Sequence, residues 1–460
     1  MATATQPLRA CPWRVVPRAC SRAKGTCAAA AAPPLARSIT PTSSAAASSS
    51  SPSSASSASS MPAHAQRRFP AWFVRGGTSN GLVIRRDALP AEQRLWPSVL
   101  APAMGAPDPL FARQLDGMGS GLSSTSKVVV LSPPSQRRPG GVHVDYTFVQ
   151  VGIRDGALDL AGNCGNMSSV VGPAAWDLGF VPEGVAAAAG LVERDDHGDA
   201  WASVRMFNTN TAKVIVSRFR VAGRPLAYCP DGDYAMDGVP GTHSLITLGF
   251  EDPAGAKTGR ALPTGSPTDE LRLPDGARVT ASLVDVGNPG VFVSTRDPGL
   301  GLGLGALAQA SALTPAAVEA DAQLRDRLEQ VRRAGASRMG LDPDTESVPK
   351  IVLLFPRAET PPGMDLRCLA MSMGQAHKAM PLTLALCLGA SARMPGTLAA
   401  GLLAEAGKDV ATTAGQADVT LTLGHPSGKL DVGTVMRDGR IESAKLLRTA
   451  RVLMKGHVYY

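Results

Sequence analysis

The chain is punctuated by short β-branched runs, each closed by Gly or Pro, and this pattern most limits what it can fold into. The runs are "AWFVRGG", "KVVVLSP", "VHVDYTFVQV", "ASVRMF", "AKVIVSRFRVAG", "RVTASLVDVGNPGVFVS", "PKIVLLFPR" and "DVTLTLGHPSGKLDVGTV". Val, Ile, Thr and Phe fit a pleated surface. Runs this short must pair with one another to satisfy their backbone N–H and C=O groups. Alternation in "VHVDYTFVQV" and "DVTLTLG" predicts half-buried strands, and "HPSG" between two runs predicts a hairpin.

Helical pattern is confined to a few segments. "CGNMSSVVGPAAWDLGFV" opens on Gly and Asn and then turns apolar. "TPAAVEADAQLRDRLEQVRRAGASRMG" reads as one helix, with Thr314 as N-cap, Pro315 in the first turn and a stop near Gly340. "KAMPLTLALCLGASARMPG" is short, apolar and expected to be buried. The first and third are alike, each a small apolar helix reached through a small or polar turn with strands on both sides. They predict an α+β fold of two pseudo-symmetric lobes that meet at a cleft.

Charge and composition exclude several classes. The formal charge is +8, yet no Asp or Glu precedes Asp87. Arg9, Arg14, Arg18, Arg22, Lys24 and Arg37 carry six of those charges, which leaves +2 for the rest. A near-neutral body with 4% aromatic residues lacks the basic, base-stacking face of a nucleic-acid binder. Residues 1–65 are rich in Ala and Ser and free of acids, the composition of a disordered leader that acts as a transit peptide. That predicts a mitochondrial location, with a plastid as the alternative, or the cytoplasm if translation starts at Met61. Outside the leader, Cys164, Cys229, Cys368 and Cys387 show no metal-ligand spacing, which argues against a zinc site and a disulfide framework. The longest uncharged run, Pro298 to Val318, is broken by repeated Gly and does not read as a membrane span.

Seven segments resemble, in the same order, those of the PrpF family. They are "VRGGTSNG" (Val74–Gly81), "DGMGSGLSSTSKVVV" (Asp116–Val130), "GNCGNM" (Gly162–Met167), "TGRALPTG" (Thr258–Gly265), "DVGNPGVFV" (Asp285–Val293), "HPSG" (His425–Gly428) and "RTARVLMKGHVYY" (Arg448–Tyr460). "SSTSK" followed by "GNCGN" is the specific part of the signal. The family's activities include 2-methylaconitate, methylitaconate and aconitate isomerisation and 4-oxalomesaconate tautomerisation. The resemblance implies a diaminopimelate epimerase-like fold, each lobe a mixed sheet wrapped around a central helix. It places the lobes at residues 66–228 and 229–440, with a closing segment, 441–460, that returns to the first. It also implies cofactor-independent proton transfer beside a carboxylate, with no metal. The expected partner is a small polycarboxylate, not nucleic acid or a membrane, and a homodimer is left open.

Such a reaction needs a base near a weakly acidic C–H and donors for the dienolate that forms. Lys127 sits where "SSTS" gives way to an apolar strand, so its amine is open to desolvation, and the resemblance implies that it is the base. Cys164 stands between two Gly/Asn pairs at a helix start, whose unpaired N–H groups and dipole favour a carboxylate. It is expected either to transfer a proton or to line the pocket, while Asn163, Gly165, Asn166 and Met167 bind the anion. Thr78, Ser79 and Asn80 form a Gly-flanked turn, and Ser124 and Ser126 offer hydroxyls beside Lys127. Asn288 and His377 complete the substrate-binding set. Asn208 and Asn210 in "FNTNT" read as structural Asx turns. His377 stands near the position where a two-thiol epimerase of this fold carries a second cysteine, and Cys387 lies too far inside its helix. The resemblance therefore implies a one-sided reaction in which Lys127 removes and returns the proton. A keto-enol tautomerase, or a non-catalytic binding protein on the same fold, are the alternatives.

Overall fold

Among the described residues, all strands but one small pair, Tyr234–Ala235 with Thr242–His243, hydrogen-bond into one continuous ladder, as the short runs require. The structure is a computed structural model that describes residues 67–301, 313–408, 418–437 and 439–460. The leader expected at residues 1–65, and part of the uncharged run after Pro298, lie outside the described residues.

In chain order the principal strands are β1 (Arg68–Gly76), β2 (Ser79–Arg85), β3 (Lys127–Ser132), β4 (Val144–Val151), β5 (Ala200–Asn208), β6 (Lys213–Ala222), β7 (Ile246–Glu251), β8 (Asp269–Arg272), β9 (Arg278–Val286), β10 (Asn288–Ser294), β11 (Lys350–Leu354), β12 (Leu366–Ser372), β13 (Asp418–His425), β14 (Gly428–Arg437), β15 (Arg440–Arg448) and β16 (Ala450–Tyr459). Their spatial order is β16-β1-β2-β3-β4-β5-β6-β7-β15-β14-β13-β12-β11-β10-β9-β8. The last strand pairs with the first along its whole length, from Arg68 opposite Tyr459 to Gly76 opposite Ala450. "HPSG" forms the β13–β14 hairpin, and "RVTASLVDVGNPGVFVS" folds into β9 and β10 about Gly287, whose φ is +70°.

The helices used below are α1 (Gly165–Asp177), α2 (Pro315–Ala320), α3 (Ala322–Arg338) and α4 (Leu382–Ser391). One part of the ladder curls around α1 and the other around α4. Both helices are buried almost end to end, which is why neither carries a charged side chain apart from Asp177 at the end of α1. β7, beyond residue 228, also packs against α1. The single helix expected from Thr314 to Gly340 is two. Asp321 takes an extended conformation (φ −98°, ψ 99°) and its carboxylate accepts the Leu324 N–H, so it caps α3 and ends α2. No helix among the described residues is long and apolar enough to cross a membrane.

β3 is buried on both faces because it divides two cores. Val129 and Leu131 face the core around α1, while Val128 and Val130 face an outer core that includes Trp96 and Leu100. Side chains alternate along a strand, so Lys127 shares the parity of Val129 and points to the helix side.

Candidate active site

Lys127 is placed by register. The parallel β2–β3 pairing sets it opposite Gly81, and the antiparallel β3–β4 pairing sets it opposite Gln150. A Cβ at Gly81 would lie 2.3 Å from the Lys127 carbonyl oxygen, so the close approach requires glycine. Lys127 is only 7% exposed, and its Nζ donates to Gln150 Oε1 at 2.6 Å, 5.1 Å from the centroid of the Phe148 ring. Gln150 in turn donates through Nε2 to the carbonyls of Ser123 and Ser126, which fixes the amide. These partners are uncharged. Burial accordingly pulls the lysine pKa below its ordinary range, opposed by Cys164 nearby.

The helix starts supply the complementary groups. Cys164 is the N-cap of α1 and no side chain caps that helix, so its first-turn N–H groups have no intrahelical partner. α4 begins behind Pro381, also uncapped by a side chain. The two starts abut, since a Cβ on Gly165 would lie 2.8 Å from Leu382 Cβ. Two positive dipole ends therefore converge on one point. Asn166 Nδ2 donates to Thr78 Oγ1 at 3.0 Å and to Ser79 Oγ at 3.4 Å, which leaves both hydroxyl protons free to donate. Asn163 Nδ2 is buried without a partner.

A cavity of about 310 Å³ lies between these groups, walled by both lobes. Lys127, Lys350 and Lys378 line it, and among the described residues no Asp or Glu does. Such a wall selects for anions.

Of the residues expected from sequence, Thr78, Ser79, Ser124, Lys127, Asn163, Cys164, Gly165, Asn166 and His377 all line this cavity. Asn80, Ser126, Met167 and Asn288 do not. Asn80 follows Ser79 on β2 and takes the opposite parity. Ser126 is fully buried, and its hydroxyl accepts from Gln114 Nε2 at 2.7 Å. Met167 belongs to the core around α1. Asn288 is buried behind Gly162, where its amide nitrogen and oxygen both lack partners. His377 is on the wall, but burial and the charges of Lys127 and Lys350 push its pKa down to about 3. It presents a neutral imidazole, able to hydrogen-bond an anion but not to offset its charge. Both asparagines are structural, but only Asn208 acts locally, accepting the Thr211 N–H, whereas Asn210 grips the distant Phe148 backbone instead of forming the expected Asx turn.

Lys350 and Gln150 are among the lining residues not expected from the sequence. Lys350 had a readable signal, because "PKIVLL" repeats the "SKVVVL" pattern of a lysine at the start of an apolar strand. Gln150 had none, because only the register reveals what it faces. Gln150→Leu is expected to lower kcat by about 10- to 100-fold with KM nearly unchanged, through loss of the group that aims Lys127. Steady-state kinetics would check it, and an unchanged kcat would show that the amide does not position the amine.

The family profile described as "PrpF protein" matches residues 66–460. The chain belongs to the PrpF family. Within the family, 3-methylitaconate isomerase of Eubacterium barkeri is 33% identical over 411 residues, covering 86% of this chain and 97% of the relative. 4-Oxalomesaconate tautomerase of Pseudomonas putida is 35% identical over 396 residues, covering 85% and 96%. The crystal structure of methylitaconate-delta-isomerase matches with a TM-score of 0.61 at 32% identity, covering 86% of this chain and 96% of its own. The α+β arrangement of a mixed sheet with central helices is shared with that crystal structure.

Proposed function

We propose that this PrpF protein is a cofactor-independent isomerase of an unsaturated di- or tricarboxylate of the aconitate, 2-methylaconitate or methylitaconate type. The observation that carries the proposal is a buried lysine amine with only neutral hydrogen-bond partners, sharing one cavity with two uncapped helix starts. A substrate carboxylate sits at the start of α1, held by first-turn N–H groups and by the hydroxyls of Thr78 and Ser79. The neutral amine of Lys127 takes a proton from the carbon beside that carboxylate. The electron pair of the broken C–H bond spreads into the carboxylate and the neighbouring double bond as a dienolate. Orphan N–H groups are worth most against charge that develops in the reaction, typically about 3–4 kcal/mol each in a water-poor site. Reprotonation after rotation gives the cis-trans isomer, and reprotonation elsewhere gives the double-bond-shifted one.

A second reading is favoured by the 35% identity to 4-oxalomesaconate tautomerase. Keto-enol tautomerisation of an oxalomesaconate-like acid would use the same base and the same anion site. Incubation with a panel of unsaturated di- and tricarboxylic acids, followed by NMR, separates the two by product. Conversion of at least one acid is expected. A panel recovered unchanged would refute the proposal.

Cys164→Ser is expected to retain most activity, within about tenfold, because the backbone N–H groups and not the thiol carry anion binding. A loss as large as that of a Lys127 variant would make the thiol a proton-transfer group.

A further inference from the structure

The ladder repeats itself around Lys127, and the repeat brings a second amine to the same cavity. In the first lobe, the β1–β2 hairpin turns at Gly77 (φ +52°), β2 runs parallel to β3 with Gly81 opposite Lys127, and α1 follows. In the second lobe, the β9–β10 hairpin turns at Gly287 (φ +70°), β10 runs parallel to β11 with Gly290 opposite Lys350, and α4 follows. Lys350 therefore stands to the second lobe as Lys127 stands to the first. Each opens an apolar strand, and each lines the shared wall. Lys350 Nζ donates to the Ser347 carbonyl at 2.7 Å. The titratable groups around it are Lys127, Cys164, His377 and Lys378 on the same cavity wall, together with Asp159. Desolvation first, and then the charge of Lys127, push its pKa down to about 8, with Cys164 and Asp159 acting the other way.

We propose that Lys350 is a second proton-transfer residue, which protonates the far end of the dienolate that Lys127 creates. This inference rests on the isomerase reading above. The C–H electron pair enters the π system as the Lys127 amine becomes an ammonium. The π pair at the remote carbon then takes a proton from the Lys350 ammonium, which forms the new C–H bond and leaves a neutral amine. Lys127 passes its proton to Lys350, directly or through water, and both residues return to their starting states. The product of this route is the double-bond-shifted isomer. A donor whose pKa lies near the working pH is well matched to the step.

The test follows substrate exchange and product formation together by proton NMR in heavy water. Lys350→Gln and Lys350→Arg are expected to keep hydrogen exchange at the abstracted carbon close to the wild-type rate, which also shows that the site is folded. Formation of the shifted product falls about 100-fold or more, with KM nearly unchanged. Arginine keeps the charge but yields no proton at neutral pH. Wild-type turnover in Lys350→Arg, or a loss confined to KM, would overturn the proposal and leave Lys350 as a carboxylate anchor. A wild-type enzyme that exchanges hydrogen with none of the acids would overturn the isomerase reading itself, and this inference with it.

Discussion

Lys127→Met is expected to cut kcat by about 1,000-fold or more while the protein stays folded and its thermal midpoint holds or rises. A general base contributes about 10²- to 10⁴-fold, and on the proposed mechanism loss of the amine also leaves the donors at the helix starts without a dienolate to stabilise. The stability expectation follows from burial. The folded-state pKa of Lys127 lies below its ordinary value, so at low and neutral pH the unfolded chain binds a proton more readily than the folded one. The stability lost to this amine is therefore greatest below the folded pKa and vanishes as pH rises past about 10.4, the unperturbed lysine value. Methionine removes that cost and fills similar space along the β3 parity. Kinetics with thermal unfolding at neutral and alkaline pH would check both halves. Retained turnover would remove Lys127 from the chemistry, and a collapse in thermal midpoint would make it a structural residue.

Gly165→Val is expected to damage both binding and stability. The two helix starts touch at this residue, with Leu382 Cβ, Cδ2 and Cγ at 2.8, 2.9 and 3.0 Å from where a Cβ would stand. Leu382 Cβ is tied to its own backbone and cannot swing aside as a side-chain tip can. A branched side chain must push α1 and α4 apart, which costs about 1–3 kcal/mol of stability as overpacking. It also moves the first-turn N–H groups away from the carboxylate they are proposed to hold, for an expected drop in kcat/KM of about 100-fold. Thermal unfolding and steady-state kinetics would measure the two effects. A variant with wild-type values for both would mean that the helix starts need not meet.

Much of this architecture was legible because the strands are short and apolar and the turns carry Gly. The site was legible where local geometry alone decides position. A helix start displays its own N–H groups, so "GNCGN" could be read as a helix start facing a cavity without knowledge of the rest of the fold. Positions that depend on pairing were not legible. Ser126 adjoins Lys127 in sequence, yet it bonds Gln114 in the interior instead of the cavity. Gln150 became visible only once β4 was laid against β3. Periodicity carried the expected helix through Asp321, where a local cap competes with helix continuation and wins. Lys350 lies outside the expected set because the sequence shows the repeat of the two lobes in their helices, whereas the amines sit on the strands.

The central claim is that Lys127, seated among neutral partners beside two helix starts, removes a proton from carbon. Deuterium incorporation from heavy water into an aconitate-type acid, measured for the wild type and for Lys127→Met, tests it most directly. The account predicts label at the carbon beside a carboxylate in the wild type, at a rate that rises with pH as the amine loses its proton, and almost none in the variant. Equal labelling in both proteins, or isomerisation by the wild type with no label entering, would contradict it.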